Sequence, residues 1–264
     1  MEDVASTSEV VIRDAEREDM LEVDKMIQEL AVYEKLTDDA RLNAADLVRD
    51  GFDSPAAFGC KVLEVRGEQR VVAGYALYYR TYSTCVGRGL MLEDLYVRER
   101  WRRRGFGRRL FAAVAAELAD FEKMPDGPKL TVEDLQRDGF ELEPPAFKCK
   151  VAEIPFPSEV IGYALYFPTY STWEGKAIML EDLYVCQKYR RRGVGNALFT
   201  ATVLQAVKMG CNRVDFHVLA WNQARKFYEA IGAKNLTESE QWCYYRLSGD
   251  ALALASSKTK LHSA

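Results

Sequence analysis

The sequence predicts an α/β fold with a mixed, mostly antiparallel sheet flanked by helices, present as two fused and incomplete copies. The string MLEDLYV stands at residues 91–97 and again at 179–185, and a loop of the form Arg-x-x-Gly-x-Gly follows each string. The two strings start 88 residues apart, and nearly half of the residues paired at that spacing are identical. A repeat of this length is a whole domain or a large part of one. Strands alternate with helices, but antiparallel hairpins interrupt the alternation, which favours a mixed sheet.

The first copy is predicted to begin with a strand and to end with a long helix. Apolar residues at helical spacing predict helices over residues 16–33, 42–50 and 106–121. Alternating or apolar-rich runs predict strands over 10–13, 60–65, 71–79 and 90–97. The second copy repeats a short helix over 132–138, strands over 148–153, 160–167 and 177–185, and a helix over 194–209. It then adds a strand over 213–219, a helix over 223–231 and a strand over 241–246.

The two copies lack opposite ends. The strand over 10–13 has no counterpart in the second copy, and the segment 212–247 has none in the first. The helix over 106–121 also aligns with the helix that opens the first copy, so we expect both copies to share it. We therefore divide the chain into a first copy over 1–118, a second copy over 119–250 and a disordered tail over 251–264. The second sheet is expected either to borrow the N-terminal strand or to keep one edge open.

Composition narrows the possible functions. The chain has 264 residues and a net charge of −4, which argues against a protein that mainly binds nucleic acid. Its six cysteines form no Cys-x-x-Cys pair and it has two histidines, so we expect reduced thiols, a cytoplasmic location and no metal site. The N-terminus lacks the apolar run of a signal peptide, and no segment approaches the roughly 20 apolar residues of a membrane span.

The glycine loop of the second copy has the residues of a phosphate-binding turn. Glycines allow the backbone to approach a pyrophosphate closely, and N–H groups at the start of the next helix point towards it. The loop consists of Arg190, Arg191, Arg192, Gly193, Val194, Gly195 and Asn196. One Gly-x-Gly element is often only a turn, but this one follows a strand and occurs twice. It therefore predicts a nucleotide-like cofactor.

Three polar side chains near this loop are candidates for proton transfer. Glu181 and Asp182 lie within an otherwise apolar strand, where successive residues face opposite sides. They are either a solvent-exposed edge pair or a general base, or cation site, beside the cofactor. Tyr228 falls between one and two turns into the helix that follows Trp221 and Asn222. It is either a core aromatic residue or the acid that protonates a leaving thiolate.

At these residues the sequence resembles a known family. The order of strand, Arg-x-x-Gly-x-Gly loop, helix, strand, Trp-Asn turn and Phe-Tyr helix resembles the GNAT superfamily of acetyl-CoA-dependent N-acetyltransferases. Several strings resemble its spermidine/spermine N-acetyltransferase family, namely YALY at 163–166, LEDLYV at 180–185, FY at 227–228 and TESEQW at 237–242. The strings STW at 171–173 and WNQ at 221–223 favour the thialysine-acetylating branch. The resemblance covers 10–97 with the following loop helix, and again 119–247.

The resemblance implies direct transfer of an acetyl group from acetyl-CoA to an amine. It implies that the backbone of Leu183, Tyr184 and Val185 pairs with the pantetheine arm. The loop from Arg190 to Asn196 would hold the pyrophosphate, and Asn222, Gln223 and Ala224 would contact the cofactor farther along. Glu181 would deprotonate the amine through water, and Tyr228 would protonate the departing thiolate. The implied amine pocket consists of Phe121, Glu122, Glu181, Asp182, Glu240 and Trp242.

The first copy matches the family only in part. It offers a possible second cofactor site formed by Leu95, Val97, Arg102, Gly105 and Gly107. It has no counterpart of the Trp-Asn turn or of the tyrosine acid, because the chain passes from its loop helix directly into the second copy. We therefore expect ordinary transferase activity only in the second copy.

The expected substrate is a small cationic primary amine, with thialysine or another lysine analogue first and a polyamine second. A second hypothesis is a non-catalytic acetyl-CoA-binding or interaction module, left by an incomplete duplication. The family implies a homodimer, but the two copies could instead form such a pair within one chain.

Overall fold

The structure contains two four-stranded sheets, one in each copy. It is a computed structural model that describes residues 9–35, 42–67, 69–122, 130–156, 158–240 and 243–257. The first copy contains β1 (Glu9–Asp14), α1 (Met20–Glu34), α2 (Ala44–Phe52), β2 (Gly59–Arg66), β3 (Arg70–Ser83), β4 (Gly87–Val97) and α3 (Phe106–Glu122). The second contains α4 (Val132–Gln136), β5 (Lys148–Pro155), β6 (Ser158–Ser171), β7 (Gly175–Val185), α5 (Val194–Lys208), β8 (Arg213–Phe216), α6 (Arg225–Ala230), α7 (Leu236–Ser239) and α8 (Gly249–Ser257).

The first sheet is covered by helices on both faces. Its strands are antiparallel in the order β1-β2-β3-β4. Because side chains alternate along a strand, Val62, Tyr75 and Leu77 pack under α1 and α2, while Leu63 and Ala76 pack under α3. All five side chains are completely buried. Burial of this apolar surface stabilises the first copy.

The second sheet has an open edge and one less protected face. β5, β6 and β7 are antiparallel, and β8 joins β7 in parallel. Leu198 of α5 packs on Tyr166 and Ile178. No described strand pairs with the outer edge of β5, where Val151 is 60% exposed although its counterpart Val62 is 0% exposed. Of the two expected arrangements the open edge is the one observed, because β1 pairs with β2 alone.

A β-bulge interrupts the same point of each repeated strand. The residues on either side of Glu93 pair with consecutive residues of β3, so Glu93 itself has no partner. Glu181 is skipped in the same way between β6 and β7. A bulge bends its strand and redirects the extra side chain. Each of these two glutamates is therefore the unpaired residue of its bulge, whereas the strand residues on either side are paired.

The copies meet through contacts that repeat about a pseudo-twofold axis. Tyr170 of the second copy enters the core under α1 and α2, and its ring centre lies 4.6 Å from that of Phe58. Tyr82 of the first copy enters the second core, and its ring centre lies 4.6 Å from that of Phe147. Both tyrosines are almost fully buried. A reciprocal contact of this kind has the form of a symmetric dimer interface.

Polar contacts across this interface follow the same symmetry. Asp50 is buried, and its carboxylate lies 3.1 Å from the Lys176 ammonium and accepts a hydrogen bond of 3.3 Å from the Tyr170 hydroxyl. The equivalent Asp138 is also buried and lies 3.6 Å from the Arg88 guanidinium. A buried carboxylate is costly unless it is paired. Each copy therefore supplies positive charge that a buried acid of the other copy requires.

The described part of α3 packs on the first sheet. It contacts β1 to β4, and its Leu110 and Val114 lie in the first core. The sharing of this helix by the second copy stays a prediction. One amphipathic helix has a single apolar stripe, and here the first sheet occupies that stripe. The predicted division between residues 118 and 119 consequently falls inside α3.

The C-terminal part also differs from the expectation. Residues 243–248 have no regular structure where a strand was predicted over 241–246, and residues 241–242 lie outside the described ranges. Strand β8 and helix α6 are shorter than predicted. The predicted tail is helical from its first residue to residue 257, because α8 is rich in alanine and leucine and packs against α3. Residues 258–264 lie outside the described ranges. Among the described helices, none has the length and apolar character needed to cross a membrane.

Candidate active site

The glycine loop of the second copy leads into an open helix N-terminus. Arg191 and Gly193 have positive φ angles of 58° and 82°, which turn the chain into α5. The Arg190 guanidinium donates to the carbonyl oxygen of Val185 over 2.8 Å and ties the loop to β7. The N–H of Ala197 is the first to bond back into this turn, at 2.9 Å from the carbonyl oxygen of Gly193. The N–H groups of residues 194–196 therefore point out of the helix, where they favour a phosphate.

An unpaired backbone edge leads to this loop. β8 accompanies β7 only as far as Leu180. After the bulge at Glu181, residues 182–185 continue to pair with β6, but no described strand pairs with their other side. Backbone N–H and C=O groups on that side need partners, and an extended ligand can supply them as an added strand would. Leu183, Tyr184 and Val185, which the resemblance assigns to the pantetheine arm, lie along this edge.

The side chain of Glu181 is half-buried. Burial raises the pKa of its carboxyl and the neighbouring Asp182 adds to the rise, while Ser83 and the backbone of Thr84, both of the first copy, and His217 lower it. The net change is an increase in pKa. A carboxylate shifted towards neutrality in this way is suited to accept a proton from an amine.

Tyr228 lies between the two elements that flank the unpaired edge. Its ring centre is 4.3 Å from that of Phe216 on β8 and 5.7 Å from that of Phe199 on α5. Only 9% of the residue is exposed. Burial raises the pKa of the phenol, and no hydrogen bond to a described residue contributes to that shift. Tyr228 is thus a packed aromatic residue whose hydroxyl stays protonated and is available as a proton donor.

His217 is a candidate that the sequence analysis missed. It directly follows β8 and is exposed, with its ring centre 5.9 Å from that of Tyr244. Its charge lowers the pKa of the Glu181 carboxyl. The sequence signal for it was its position directly after β8, the strand that pairs with β7.

The predicted amine pocket is assembled only in part. Asp182 lies beside Glu181 and accepts a long hydrogen bond of 3.4 Å from the Tyr163 hydroxyl. Glu240 follows α7 and is exposed. The side chains of Phe121 and Glu122 and the whole of Trp242 lie outside the described part of the chain. Glu181 and Asp182 are therefore the described members of the predicted set that are neighbours, and a pocket for a cation there stays a prediction.

The Trp-Asn turn has a structural task. The Asn222 side-chain oxygen accepts a hydrogen bond of 2.9 Å from the N–H of Ala224 and closes the turn before α6. Gln223 is exposed, and Trp221 is 79% exposed. Local hydrogen bonding of this kind is typical of an asparagine at the start of a helix. Contact of residues 222–224 with the cofactor stays a prediction.

The first copy repeats the loop but has no described strand equivalent to β8 beside it. Arg103 and Gly105 have φ angles of 63° and 76°. The Arg102 guanidinium donates to the carbonyl oxygen of Val97 over 2.7 Å, as Arg190 does to Val185. No described strand pairs with β4 where β8 pairs with β7. Cofactor binding by Leu95, Val97, Arg102, Gly105 and Gly107 therefore stays a prediction.

Comparison with known proteins identifies the family. The chain matches the model of the Acetyltransferase (GNAT) family at residues 22–125 and again at 118–233. It is 43% identical over 143 residues to the thialysine N-epsilon-acetyltransferase of Bos taurus, covering 52% of this chain and 84% of that protein. It is 38% identical over 142 residues to spermidine/spermine N(1)-acetyltransferase-like protein 1 of Homo sapiens, covering 52% of this chain and 20% of that protein.

Among solved structures, the chain is weakly similar to the aminoglycoside N-acetyltransferase AAC(6')-Iy in complex with CoA, with a TM-score of 0.33, 22% identity, and coverage of 38% of this chain and 75% of that one. The match to the family model spans both copies of the chain and falls once on each. The chain therefore belongs to the GNAT family of acetyl-CoA-dependent amine N-acetyltransferases and carries the family domain twice.

Proposed function

We propose that the second copy transfers the acetyl group of acetyl-CoA to the primary amine of a small cationic substrate. The observation that supports this most is the placement of Glu181 at the β7 bulge, where the unpaired edge of β7 begins. That edge runs into the phosphate-type loop, and Tyr228 packs on Phe216 of β8 and Phe199 of α5. Phe216 pairs with Leu180, the residue before Glu181.

The residues of this chain divide the proton transfers between them. Bound acetyl-CoA supplies the thioester, whose C–S bond breaks as the amine nitrogen bonds to the acetyl carbon. Glu181 takes the proton that the ammonium substrate must lose, through a water molecule, and His217 can pass it to solvent. Tyr228 gives its proton to the departing sulfur. Residues 190–196 hold the pyrophosphate through backbone N–H groups and arginines.

Lysine analogues such as thialysine are the first substrate class, and polyamines are the second. Three relatives named for thialysine are 43% identical to this chain, against 38% for the relative named for spermidine and spermine. The neighbouring carboxylates of Glu181 and Asp182 suit a substrate that carries positive charge near the reacting amine. Both substrate classes meet that requirement. The length of the substrate and the distance between its charges therefore decide which class reacts faster.

The test is release of free coenzyme A thiol by the purified chain with acetyl-CoA and a panel of thialysine, lysine, spermidine and spermine. Turnover with thialysine is expected to exceed turnover with the polyamines. Tyr228→Phe should lower kcat by about 10²-fold or more, because general acid catalysis contributes at least that much. Tyr245→Phe, at an 87% exposed tyrosine, is the control and should leave kcat unchanged.

A second comparison uses the equivalent glutamates of the two copies. Glu181→Gln should abolish most activity, whereas Glu93→Gln at the equivalent bulge of the first copy should not. Full activity in Tyr228→Phe would remove that residue from the mechanism. Binding of acetyl-CoA without turnover of any amine would favour a non-catalytic binding module.

A further inference from the structure

We propose that the outer edge of β5 binds an extended segment of a partner protein in which a basic residue is followed directly by an acidic residue. The segment adds to the second sheet as β1 adds to the first. Backbone N–H and C=O groups along an open strand edge need partners, and an added strand supplies them. The charges that the segment must carry follow from a comparison of the two copies.

Lys61 of β2 shows where the acidic residue binds. Its ammonium lies 2.7 Å from the carboxylate of Asp14 on β1 and 2.5 Å from that of Glu117 on α3. Asp14 is the residue of β1 directly opposite Lys61. With these two partners the Lys61 side chain is only 9% exposed. A charge this far from water needs a partner of opposite sign, and β1 supplies one.

Lys150, the equivalent residue of β5, has neither acid. Both lysines follow a cysteine and occupy the same register position in their sheets. Helix α5 carries Gln205 at the position that Glu117 has in α3. Among the described residues, no strand lies where Asp14 would be, and no carboxylate forms an ion pair with Lys150. Lys150 and Gln205 instead line a cavity of about 300 Å³. A carboxylate opposite Lys150 would supply the missing charge.

A second acid shows where the basic residue binds. Glu64 of β2 is 2% exposed, and its carboxylate lies 2.7 Å from the guanidinium of Arg13 on β1 and near two arginines of the first sheet. The equivalent Glu153 of β5 is exposed and accepts a hydrogen bond from the Ser158 hydroxyl, and no cation in the described ranges pairs with it. Arg13 directly precedes Asp14 in β1. A partner segment with the same order of charges would pair with both ends of the edge.

The longer stretches of this chain outside the described ranges lack that order of charges in an uninterrupted strand. Residues 1–8 contain no basic residue, and residues 258–264 contain no acidic residue. In residues 36–41 the acids precede the arginine, and residues 123–129 contain two prolines, which cannot donate a backbone hydrogen bond. β1 itself is paired with β2. The segment therefore comes from a separate protein.

The experiment uses a fluorescently labelled peptide with the sequence of residues 9–15, EVVIRDA, because the structure shows this segment on the equivalent edge of the first sheet. Its binding to the full chain is measured by fluorescence anisotropy. Saturable binding is expected, and Lys150→Glu should weaken it at least about tenfold, since a charge-assisted hydrogen bond contributes that much. A peptide carrying Asp14→Lys should show the opposite preference and bind Lys150→Glu more tightly than wild type. Lys234→Glu, at an exposed lysine after α6, makes the same charge change and should bind like wild type.

Absence of saturable binding, or equal affinity of the peptide for wild type and Lys150→Glu, would overturn the proposal. Should Lys150→Glu fail to fold, Lys150→Gln removes the charge with less disturbance and is read in the same way. The reversed preference of the Asp14→Lys peptide shows that binding depends on the ion pair rather than on apolar contact. A solution mass of two chains without peptide that falls to one chain in Lys150→Glu would assign the edge to a second copy of the chain, and this too would overturn the proposal.

Discussion

At the scale of single residues, the two bulge glutamates have the same sequence context but different surroundings. Both lie in the string MLEDLYV and both are half-buried. Burial raises the pKa of Glu93 to about 8, helped by Asp94 and opposed by Arg213, Ser171 and Thr172. Burial also raises the pKa of Glu181, and there the opposing groups are Ser83, Thr84 and His217.

The raised pKa of Glu93 predicts a pH-dependent stability. Between the ordinary glutamate pKa of 4.5 and about 8, the folded state holds a proton that the unfolded state has lost. Stability from this residue is therefore complete below about 4.5 and falls as pH rises to about 8. Glu93→Gln removes the ionisation, so it should stabilise the protein at pH 8 by at least about 1.4 kcal/mol relative to pH 5. Denaturant unfolding at the two pH values measures the difference, and an equal effect at both would contradict it.

At the scale of elements, β2 and β5 show how one pattern takes two structural roles. Both strands carry the segment Cys-Lys-Val, at 60–62 and 149–151. β2 is central, with β1 on one side and β3 on the other, while β5 has β6 alone. The pair Val62 and Val151 faces the same way in each sheet, because each is opposite an equivalent tyrosine of the next strand. The difference in exposure comes from the missing strand and helix of the second copy.

This difference predicts unequal costs for the same substitution. Val62→Ala should lower the free energy of unfolding by about 1–3 kcal/mol, because it opens a cavity under α1 and α2. Val151→Ala should cost less than about 0.5 kcal/mol, since its side chain is largely exposed. Urea unfolding of both variants checks the contrast. Equal losses would mean that the outer face of the second sheet is covered in solution.

At the scale of the whole molecule, one chain contains both halves of a dimer-like interface. Tyr82 and Tyr170 fill reciprocal pockets, and Asp50 and Asp138 each meet a cation from the other copy. A surface that is already satisfied within one chain is not available to bind a second chain in the same way.

The protein is therefore expected to be a monomer at micromolar concentration. Its mass in solution, measured by light scattering after size-exclusion chromatography, should equal that of one chain. The open edge of β5 is the surface where a second chain could add, since its backbone groups are unpaired on that side. A measured mass of two chains would contradict the expectation. The open edge of β5 would then be the first surface to test as the contact between chains.

The sequence by itself determined much of the fold and the family. The repeated strings, the two glycine loops and the period of the apolar residues predicted most helices and strands within a few residues, because these signals are local. The loop geometry from Arg190 to Asn196 was predictable for the same reason. The strand predicted over 241–246 failed, since a strand exists only where a neighbour accepts its hydrogen bonds.

How the two copies contact each other follows from the three-dimensional structure. The sequence contains no signal that α8 packs on α3, or that Tyr82 and Tyr170 each enter the core of the other copy. It also contains no signal that Lys176 and Arg88 lie beside the buried Asp50 and Asp138 of the other copy. These are contacts between residues far apart in the chain, and they depend on which surfaces remain uncovered once each sheet has formed.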